Sequence, residues 1–224
     1  FALIALPLSI ILPIAVASLV NSEWLAGKRF FRTLFYMPYM VPVVSSVYIW
    51  RGVLNSETGW LNRVLGLVGI AGPNWLNDIG WIYPALNIIG IWGVGNAMLY
   101  TLAGMQTVPT ELYEAARVDG AGPFMRFRKI TFPMISPVVF YNLVLSVIGL
   151  WRYFETPYIL SNGGTGQPGD STYFINIHLY KTAFTFQQMG YGAAITWMLF
   201  ALAFGSTLIL FATRRYWVFY ASED

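Results

Sequence analysis

Long apolar runs alternate with shorter polar segments along the whole chain. A helix needs about 20 apolar residues to cross the ~30 Å hydrocarbon core of a bilayer. Five runs meet or approach that length, and we predict them as membrane-spanning helices: Phe1–Val20, Thr33–Val53, Trp81–Met105, Phe132–Trp151 and Tyr191–Thr213. The predicted fold class is all-α, a polytopic transmembrane helical bundle that forms a single transmembrane domain over residues 1–224.

The composition supports a membrane protein and argues against an enzyme. Hydrophobic residues make up 57% of the 224 positions and charged residues only 10%, too few for a soluble fold of this size. Cysteine is absent and His178 is the single histidine, so neither residue type can build a metal site here. The sequence also lacks a G-x-x-x-x-G-K-[ST] motif, paired carboxylates and a nucleophile elbow. We therefore expect no catalytic residues, no bound cofactor and no metal, which disfavours a polytopic membrane enzyme.

Basic residues are divided unequally between the two sets of segments that connect the spans. Nine lie in one set (Lys28, Arg29, Arg32, Arg117, Arg126, Arg128, Lys129, Arg214 and Arg215) and four in the other (Arg51, Arg63, Arg152 and Lys181). Because cytoplasmic loops carry the excess of Lys and Arg, the richer set is predicted to face the cytoplasm. Segments 54–80 and 152–190 are then extracytoplasmic. Phe1 would begin on the outer side, which predicts that the first of six helices precedes this chain.

The most polar stretch, 110–137, carries seven charged residues between two apolar runs. Pro109 suits a helix start, and Glu111 and Glu114 then lie in the first turns, where the helix dipole favours acids. Gly120 can adopt positive φ and end that helix. Gly122 and Pro123 are predicted to start a second short helix, which Pro133 closes. On pattern alone, an ordinary cytoplasmic loop explains this stretch equally well.

The stretch EAARVDGA, followed by Ile130 and Pro133, resembles the EAA loop of ABC-importer permeases. That pattern is E-A-A, three residues, G, about nine residues, then I-x-L-P; Phe132 replaces the usual leucine. The resemblance implies a type I importer permease, with residues 106–131 as a cytoplasmic coupling loop that docks onto an ATPase. The residues it assigns to coupling are Glu111, Glu114, Ala115, Ala116, Asp119, Gly120, Phe127, Ile130 and Pro133.

A glycine-rich segment, SNGGTGQPGDST, lies between the fourth and fifth predicted spans. Its G-x-G-x-x-G spacing does not indicate a dinucleotide site, because no βαβ context surrounds it and Pro168 interrupts it. The stretch YILSNGGTGQPGDST instead resembles the glycine-rich outer loop of carbohydrate permeases of the maltose and glycerol-phosphate type. Together with a separate stretch, FFRTLFYMP at 30–38, it moves the resemblance from importers generally to sugar importers. The resemblance implies that Gly163, Gly164 and Gly166 face a solute-binding protein.

Polar and aromatic residues within or beside the spans are candidates for the substrate pathway. Amides hydrogen-bond sugar hydroxyls and rings stack on sugar C–H faces, so we assign Trp92, Asn96, Tyr141, Asn142, Arg152, Tyr153 and Glu155. An interfacial aromatic belt explains the rings equally well. Arg152 and Glu155 have helical-pair spacing, although a snorkelling interfacial pair is as good an explanation.

The resemblance also implies partners and a location. We expect a second permease subunit, a separate ATPase dimer carrying ATP and Mg²⁺, an extracytoplasmic solute-binding protein and membrane lipid, but no nucleic acid. The expected location is the cytoplasmic membrane of a bacterium or archaeon, with a sugar or oligosaccharide as substrate. A polyol, a glycerol phosphate or another small polar solute remains an alternative substrate. An ATP-independent carrier or channel remains an alternative class.

Overall fold

The computed structural model describes residues 1–22 and 24–219, which form helices and connecting turns without any β-strand. In chain order the helices are α1 Ala2–Asn21, α2 Lys28–Tyr36, α3 Val43–Val53, α4 Trp60–Leu67, α5 Ile79–Trp92, α6 Gly95–Gln106, α7 Thr110–Val118, α8 Pro123–Arg126, α9 Phe132–Trp151, α10 Glu155–Leu160, α11 Ile175–Tyr180 and α12 Met189–Thr213. Two 3₁₀ turns, Met37–Met40 and Arg214–Tyr216, and two π-helical turns, Phe127–Thr131 and Lys181–Thr185, complete the set. The all-α prediction is confirmed.

Three helices of the described residues are long and apolar enough to cross a membrane: Ala2–Asn21, Pro123–Leu160 and Met189–Tyr216. A fourth span results if α5 and α6, interrupted at 93–94, are counted together. These four correspond to the first, third, fourth and fifth predicted spans. The predicted boundaries of Phe132–Trp151 coincide with those of α9.

The second predicted span, Thr33–Val53, is not one helix. α2 ends at Tyr36, a 3₁₀ turn follows over Met37–Met40, and α3 begins only at Val43. Pro38 lies in the turn and Pro42 immediately precedes α3. Proline has no N–H to donate and clashes with the preceding helical turn. The second predicted span, which the sequence already shows to be interrupted by Pro38 and Pro42, is therefore divided into two helices and a turn in the described residues.

The chain divides into two compact units. The first contains Phe1–Ala5, Met40–Trp92 and Gly149–Phe204. Its core is built by Leu54, Trp75, Ala85 and Ile89, all buried. Within it, α10 packs along α3.

The second unit contains Leu6–Tyr39, Gly93–Ile148 and the chain from Gly205 onward. Its core joins α1, α6 and α9 through Ala17, Val20, Met98, Leu102, Met105, Val108, Ile135 and Val139. α2 packs against α6 where Gly95 meets the backbone of Phe35 and Tyr36, leaving no room for a side chain. This core supports the predicted coupling loop, because α6 leads into α7 and α9 continues from α8.

Candidate functional site

The first helix of the predicted coupling loop, α7, ends in a two-bond turn at Gly120. Gly120 has φ of 75°, its N–H donates to the Arg117 carbonyl, and the Ala121 N–H donates to the Ala116 carbonyl at 2.8 Å. This 6→1 and 5→2 pair is a Schellman motif, which satisfies the last carbonyls of the helix. Positive φ at Gly120, predicted from the sequence, is confirmed.

Most residues that the EAA resemblance assigns to coupling lie on the surface of the second unit. Glu111, Glu114, Ala115, Asp119 and Gly120 are exposed, and Ala116 is half-buried. Beside them lie four exposed apolar residues, Leu112, Val118, Phe124 and Met125, which we call the coupling surface. Val118 is 89% exposed and Phe124 76% exposed. Water-exposed apolar residues concentrated around one turn are typical of a surface that contacts a partner.

The second helix of the loop begins where predicted, at Pro123, but does not end at Pro133. α8 passes through the π-helical turn Phe127–Thr131 into α9, so Pro133 lies within a continuous helix. The Phe132 N–H bonds to the Phe127 carbonyl, five residues back. A π turn widens the helix locally, and here it lets the chain enter a proline-containing turn without stopping. The prediction that Pro133 closes this helix is wrong.

The spacing of Phe124, Phe127 and Ile130 predicts one apolar side for this second helix, but the π turn separates them. Phe127 and Ile130 pack against the core of the second unit, whereas Phe124 points outward. Pro133 is half-buried. Of the coupling candidates, Phe127, Ile130 and Pro133 therefore attach the loop to α9, and the residues of α7 remain available to a partner.

A hydrogen bond that the sequence did not indicate joins the two parts of the coupling loop. The hydroxyls of Tyr113 and Thr131 are 2.8 Å apart, and Thr131 is buried. Tyr113 also packs against the core of the second unit. Residues 18 positions apart carry no local signal of contact, so sequence periodicity could not have paired them. The bond fixes α7 relative to the start of α9.

A cavity of about 690 Å³ lies beneath α7. It is lined by the end of α1 and by both helices of the coupling loop: Ser18, Leu19, Asn21, Ser22, Trp24, Met105, Thr110, Tyr113, Glu114, Arg117, Pro123, Arg126, Phe127 and Thr131. The Nε of Arg126 is buried and has no hydrogen-bond partner among the described residues. Because Glu114, the acid of the EAA pattern, is one of the lining residues, it borders a concave site and does not lie on a flat helix face.

The predicted substrate-pathway residues are divided between the two units. In the second unit Asn142 is buried; its amide donates to the Thr101 hydroxyl at 3.2 Å and to the Ala97 carbonyl at 3.4 Å. Asn96 is half-buried, and Tyr141 is 48% exposed with its ring edge-on to Tyr100. The Asn142 amide thus joins α9 to α6, and a solute could reach it only by replacing those bonds.

The remaining pathway candidates lie in the first unit. Trp92 contacts Trp50 edge-on, and Tyr153 stacks on Phe1 with ring centroids 4.7 Å apart. Arg152 and Glu155 are both exposed, but α9 ends at Trp151 and α10 begins at Glu155. They therefore do not share a helix, and no ion pair between them is present in the described residues. The predicted helical pair is wrong because the helix breaks between its members.

The glycine-rich outer loop, residues 162–172, also lies in the first unit. Gly163, Gly164 and Gly166 have φ of 85°, 76° and 87°. At Gly164 an added Cβ would lie 2.6 Å from Cγ2 of Ile177 and 2.9 Å from the Tyr158 ring. Glycine is thus required here both for its backbone conformation and for close packing. Among the residues described, no group of histidine, cysteine, aspartate or glutamate side chains is arranged to hold a metal ion.

These features define a multi-pass helical membrane protein with a loop for contacting a partner. The family model described as the binding-protein-dependent transport system inner membrane component matches residues 9–217. The chain belongs to this family and is a multi-pass permease subunit of an inner-membrane ABC importer. The predicted permease class and membrane location are confirmed.

Individual relatives agree with the family match. The chain is 35% identical over 226 residues to the probable ABC transporter permease protein YesP of Bacillus subtilis, covering 100% of this chain and 72% of the relative. It is 32% identical over 217 residues to the trehalose/maltose transport system permease protein MalF of Thermococcus litoralis, covering 96% of this chain and 72% of the relative. A third relative, the arabinooligosaccharides transport system permease protein AraP of Bacillus subtilis, is 34% identical over 185 residues, covering 82% and 58%.

Solved structures show the same fold. A crystal structure of a bacterial ABC transporter that imports the acidic polysaccharide alginate matches with a TM-score of 0.85 at 23% identity, covering 96% of this chain and 75% of that one. The same kind of transporter, in complex with an alginate pentasaccharide-bound periplasmic protein, matches with a TM-score of 0.81. At this identity the likeness concerns the fold alone.

Proposed function

We propose that this chain forms part of the translocation pathway of an importer for a sugar or oligosaccharide delivered by a binding protein. Two relatives support this substrate class, since their names assign them trehalose/maltose and arabinooligosaccharide transport. Rings and amides near the spans, including the exposed Tyr141 and the half-buried Asn96, have the chemistry that sugars require. The carbohydrate class is favoured over a polyol or a glycerol phosphate on these grounds.

The observation that carries the transport mechanism is the coupling surface around Gly120. Four apolar residues of the two loop helices are exposed: Leu112, Val118, Phe124 and Met125. The hydrogen bond between Tyr113 and Thr131 fixes α7 to the start of α9. An ATPase that presses on this surface would move α9, because the π turn continues directly into that helix. We infer that ATP and Mg²⁺ are bound by a separate ATPase dimer and that a second permease subunit completes the pathway.

Within this proposal, Glu114 offers its carboxylate to a basic or amide group of the ATPase. Its position at the edge of the 690 Å³ cavity, together with Arg117 and Arg126, allows a protruding side chain of the partner to be enclosed. An exposed ionic contact contributes only about 0–1 kcal/mol. Enclosure on docking would make the contact stronger, because less water screens it.

The test is purification of the tagged chain from its native membrane, followed by reconstitution in lipid. We expect an ATPase and a second permease to copurify, and ATP hydrolysis to rise with a binding protein loaded with maltose, trehalose or an arabino-oligosaccharide. Binding protein loaded with a polyol or glycerol phosphate is the matched control. Stimulation by the control alone would contradict the carbohydrate class. Uptake without an ATPase would identify an ATP-independent carrier.

The proposed orientation can be tested separately. The chain contains no cysteine, so a single engineered thiol reports its own surroundings. We expect a cysteine at Ser56 to react with an impermeant thiol reagent added to intact cells and one at Ser22 to be protected. Labelling of the cysteine at Ser22 but not of the one at Ser56 would show that the predicted topology is inverted.

A further inference from the structure

The predicted outer loop, 162–172, follows a backbone path that is costly to order, although short-range hydrogen bonds such as that from the Thr172 hydroxyl to the Gln167 carbonyl support it. Six of its residues have φ between 51° and 87°: Asn162, Gly163, Gly164, Gly166, Gly169 and Asp170. Glycine makes such a path accessible but loses more conformational entropy than other residues when it is ordered. The loop therefore depends on contacts that hold it in one conformation.

Lys181 makes two such contacts, one at each end of the loop. Its ammonium donates to the Gly164 carbonyl at 2.5 Å and lies 5.4 Å from the centroid of the Tyr173 ring. A hydrogen bond from a charged donor is stronger than one between neutral groups, and an aromatic face attracts the same cation. The Tyr173 hydroxyl is in turn 3.3 Å from Nδ1 of His178.

The helix that precedes Lys181 is itself fixed to a spanning helix. The side chain of Asn176, in α11, donates to the carbonyl of Trp151 at 2.7 Å, and Trp151 is the last residue of α9. Ile177, also in α11, is the residue against which Gly164 packs. Contacts therefore run from the end of α9 through α11 and Lys181 to the glycine-rich loop.

We propose that Lys181 is a positioning residue that holds the outer loop in the conformation presented to the binding protein. The link through Asn176 makes the loop follow the end of α9, so that movement of this spanning helix is carried to the loop. The inference rests on the proposed function, because the loop's partner is the sugar-loaded binding protein. It concerns Lys181, which the sequence presents only as one of four basic residues in the predicted outer segments.

The test uses the assembled importer in lipid and compares Lys181→Met with Lys181→Arg. Methionine keeps an apolar stem but removes the donor and the charge, whereas arginine keeps both. We expect Lys181→Met to raise the concentration of loaded binding protein needed for half-maximal ATPase stimulation about tenfold, the low end for a charged hydrogen bond. The maximal rate should remain unchanged. Arg63→Gln, which removes an exposed outer-side charge far from this loop in sequence, is the control.

Hydrogen–deuterium exchange of the amides in 162–172 gives an independent readout. We expect faster exchange in Lys181→Met, wild-type exchange in Lys181→Arg, and an intermediate rate in Tyr173→Leu, which removes the ring and its hydroxyl but keeps the Lys181–Gly164 bond. Tyr173→Leu decides the question if Lys181→Met does not assemble. Unchanged exchange, or faster exchange without a change in half-maximal concentration, overturns the proposal. If no loaded binding protein stimulates ATP hydrolysis by the wild-type complex, the proposed function is wrong. The exchange rates would still show whether Lys181 orders the loop.

Discussion

Two glycines with the same backbone conformation have opposite surroundings. Gly120, at the end of α7, has φ of 75°, and an added Cβ would meet nothing within 4 Å. Gly164, in the outer loop, has φ of 76°, and an added Cβ would lie within 3 Å of both Ile177 and Tyr158. Gly120 therefore lies in a turn with open space around it, whereas the backbone at Gly164 packs closely against neighbouring side chains.

The difference separates two ways of fixing a functional loop. The turn at Gly120 is specified locally by the chain's own helix-ending bonds from Gly120 and Ala121. The predicted outer loop has local bonds too, from the N–H groups of Gly163 and Gly164 to the Tyr158 carbonyl, but it also needs tertiary contacts with Ile177 and Lys181. A local turn can be recognised in the sequence, whereas a packed loop requires knowledge of the residues that surround it.

The largest effect is expected for Gly164→Ala. Left-handed backbone costs about 1–2 kcal/mol for a residue with Cβ, and overpacking adds about 1–3 kcal/mol. We expect the purified subunit to lose thermal stability, measured from its tryptophan fluorescence, and the loop to meet the binding protein weakly. If Gly164→Ala unfolds at the same temperature as the wild type, the close packing around Gly164 does not contribute to stability and the contrast with Gly120 fails.

Asparagine distinguishes conformational strain from crowding. Asn adopts left-handed backbone more readily than other residues with Cβ. Gly120→Asn should therefore remain close to wild type in stability and in stimulated ATP hydrolysis. Gly164→Asn should remain destabilised, because its Cβ still meets Ile177 and Tyr158. Equal behaviour of the two asparagine variants would show that the surroundings do not matter.

The next effect is that of Gly120→Val on transport. Valine resists positive φ, so α7 should be misplaced relative to α8, while the spanning helices, including the one that begins with α8, remain intact. We expect a membrane-inserted subunit in which ATP hydrolysis stimulated by loaded binding protein and uptake fall together. Glu114→Ala should do the same more mildly. Full stimulation with Gly120→Val would remove this turn from the coupling pathway.

A smaller effect is expected at Asn142, which contacts its neighbours by side-chain hydrogen bonds rather than backbone packing. Asn142→Leu removes the donor to the buried Thr101 hydroxyl oxygen, which costs about 1–3 kcal/mol, whereas the Ala97 carbonyl still accepts from Thr101. We expect lower thermal stability together with reduced uptake at matched expression, whereas Trp151→Phe should be tolerated. Normal stability with altered substrate preference would instead place Asn142 in the substrate pathway.

The smallest effect is expected for Tyr113→Phe. This change removes the hydroxyl that bonds Thr131 but keeps the ring in the core, so the cost is about 0.5–1.5 kcal/mol. We expect a small loss of stability and a modest fall in the ratio of uptake to ATP hydrolysis. Tyr48→Phe, at a 59% exposed position, is the control. A coupling ratio equal to wild type would show that the bond does not transmit movement.

Much of the fold follows from the sequence because apolar run length and helix-ending residues act locally. The predicted span Phe132–Trp151 has the boundaries of α9, and Gly120 adopts the predicted positive φ. The broken second span also had a visible signal, since Pro38 and Pro42 interrupt it. Its apolar composition indicates burial in lipid but does not give helix continuity, so the division into α2, a 3₁₀ turn and α3 was not predicted in detail.

The candidate sites were less predictable because their decisive contacts join residues distant in sequence. Tyr113 bonds Thr131, and Lys181 bonds Gly164, 17 residues away. Arg152 and Glu155 show the opposite error, a contact that was predicted but is not formed. Their i, i+3 spacing predicts contact within one helix, but α9 ends at Trp151 and α10 begins at Glu155. Spacing predicts contacts only inside a continuous element.

The π turn at Phe127–Thr131 has a consequence for the length of this part of the chain. Each residue of an α-helix advances the azimuth by about 100° and the axis by about 1.5 Å. The π turn holds about one residue more than an α-helical turn of the same rotation, so deleting one residue between Phe127 and Thr131 would let it close as an ordinary helix with α8 in nearly the same direction. Deleting one residue from the first regular turn of α9 would instead rotate α8, and α7 with it, about the α9 axis by roughly 100°. The coupling surface would then point in a different direction. The π turn is therefore the part of this helix where a change in residue count has the least effect on the direction of the coupling surface.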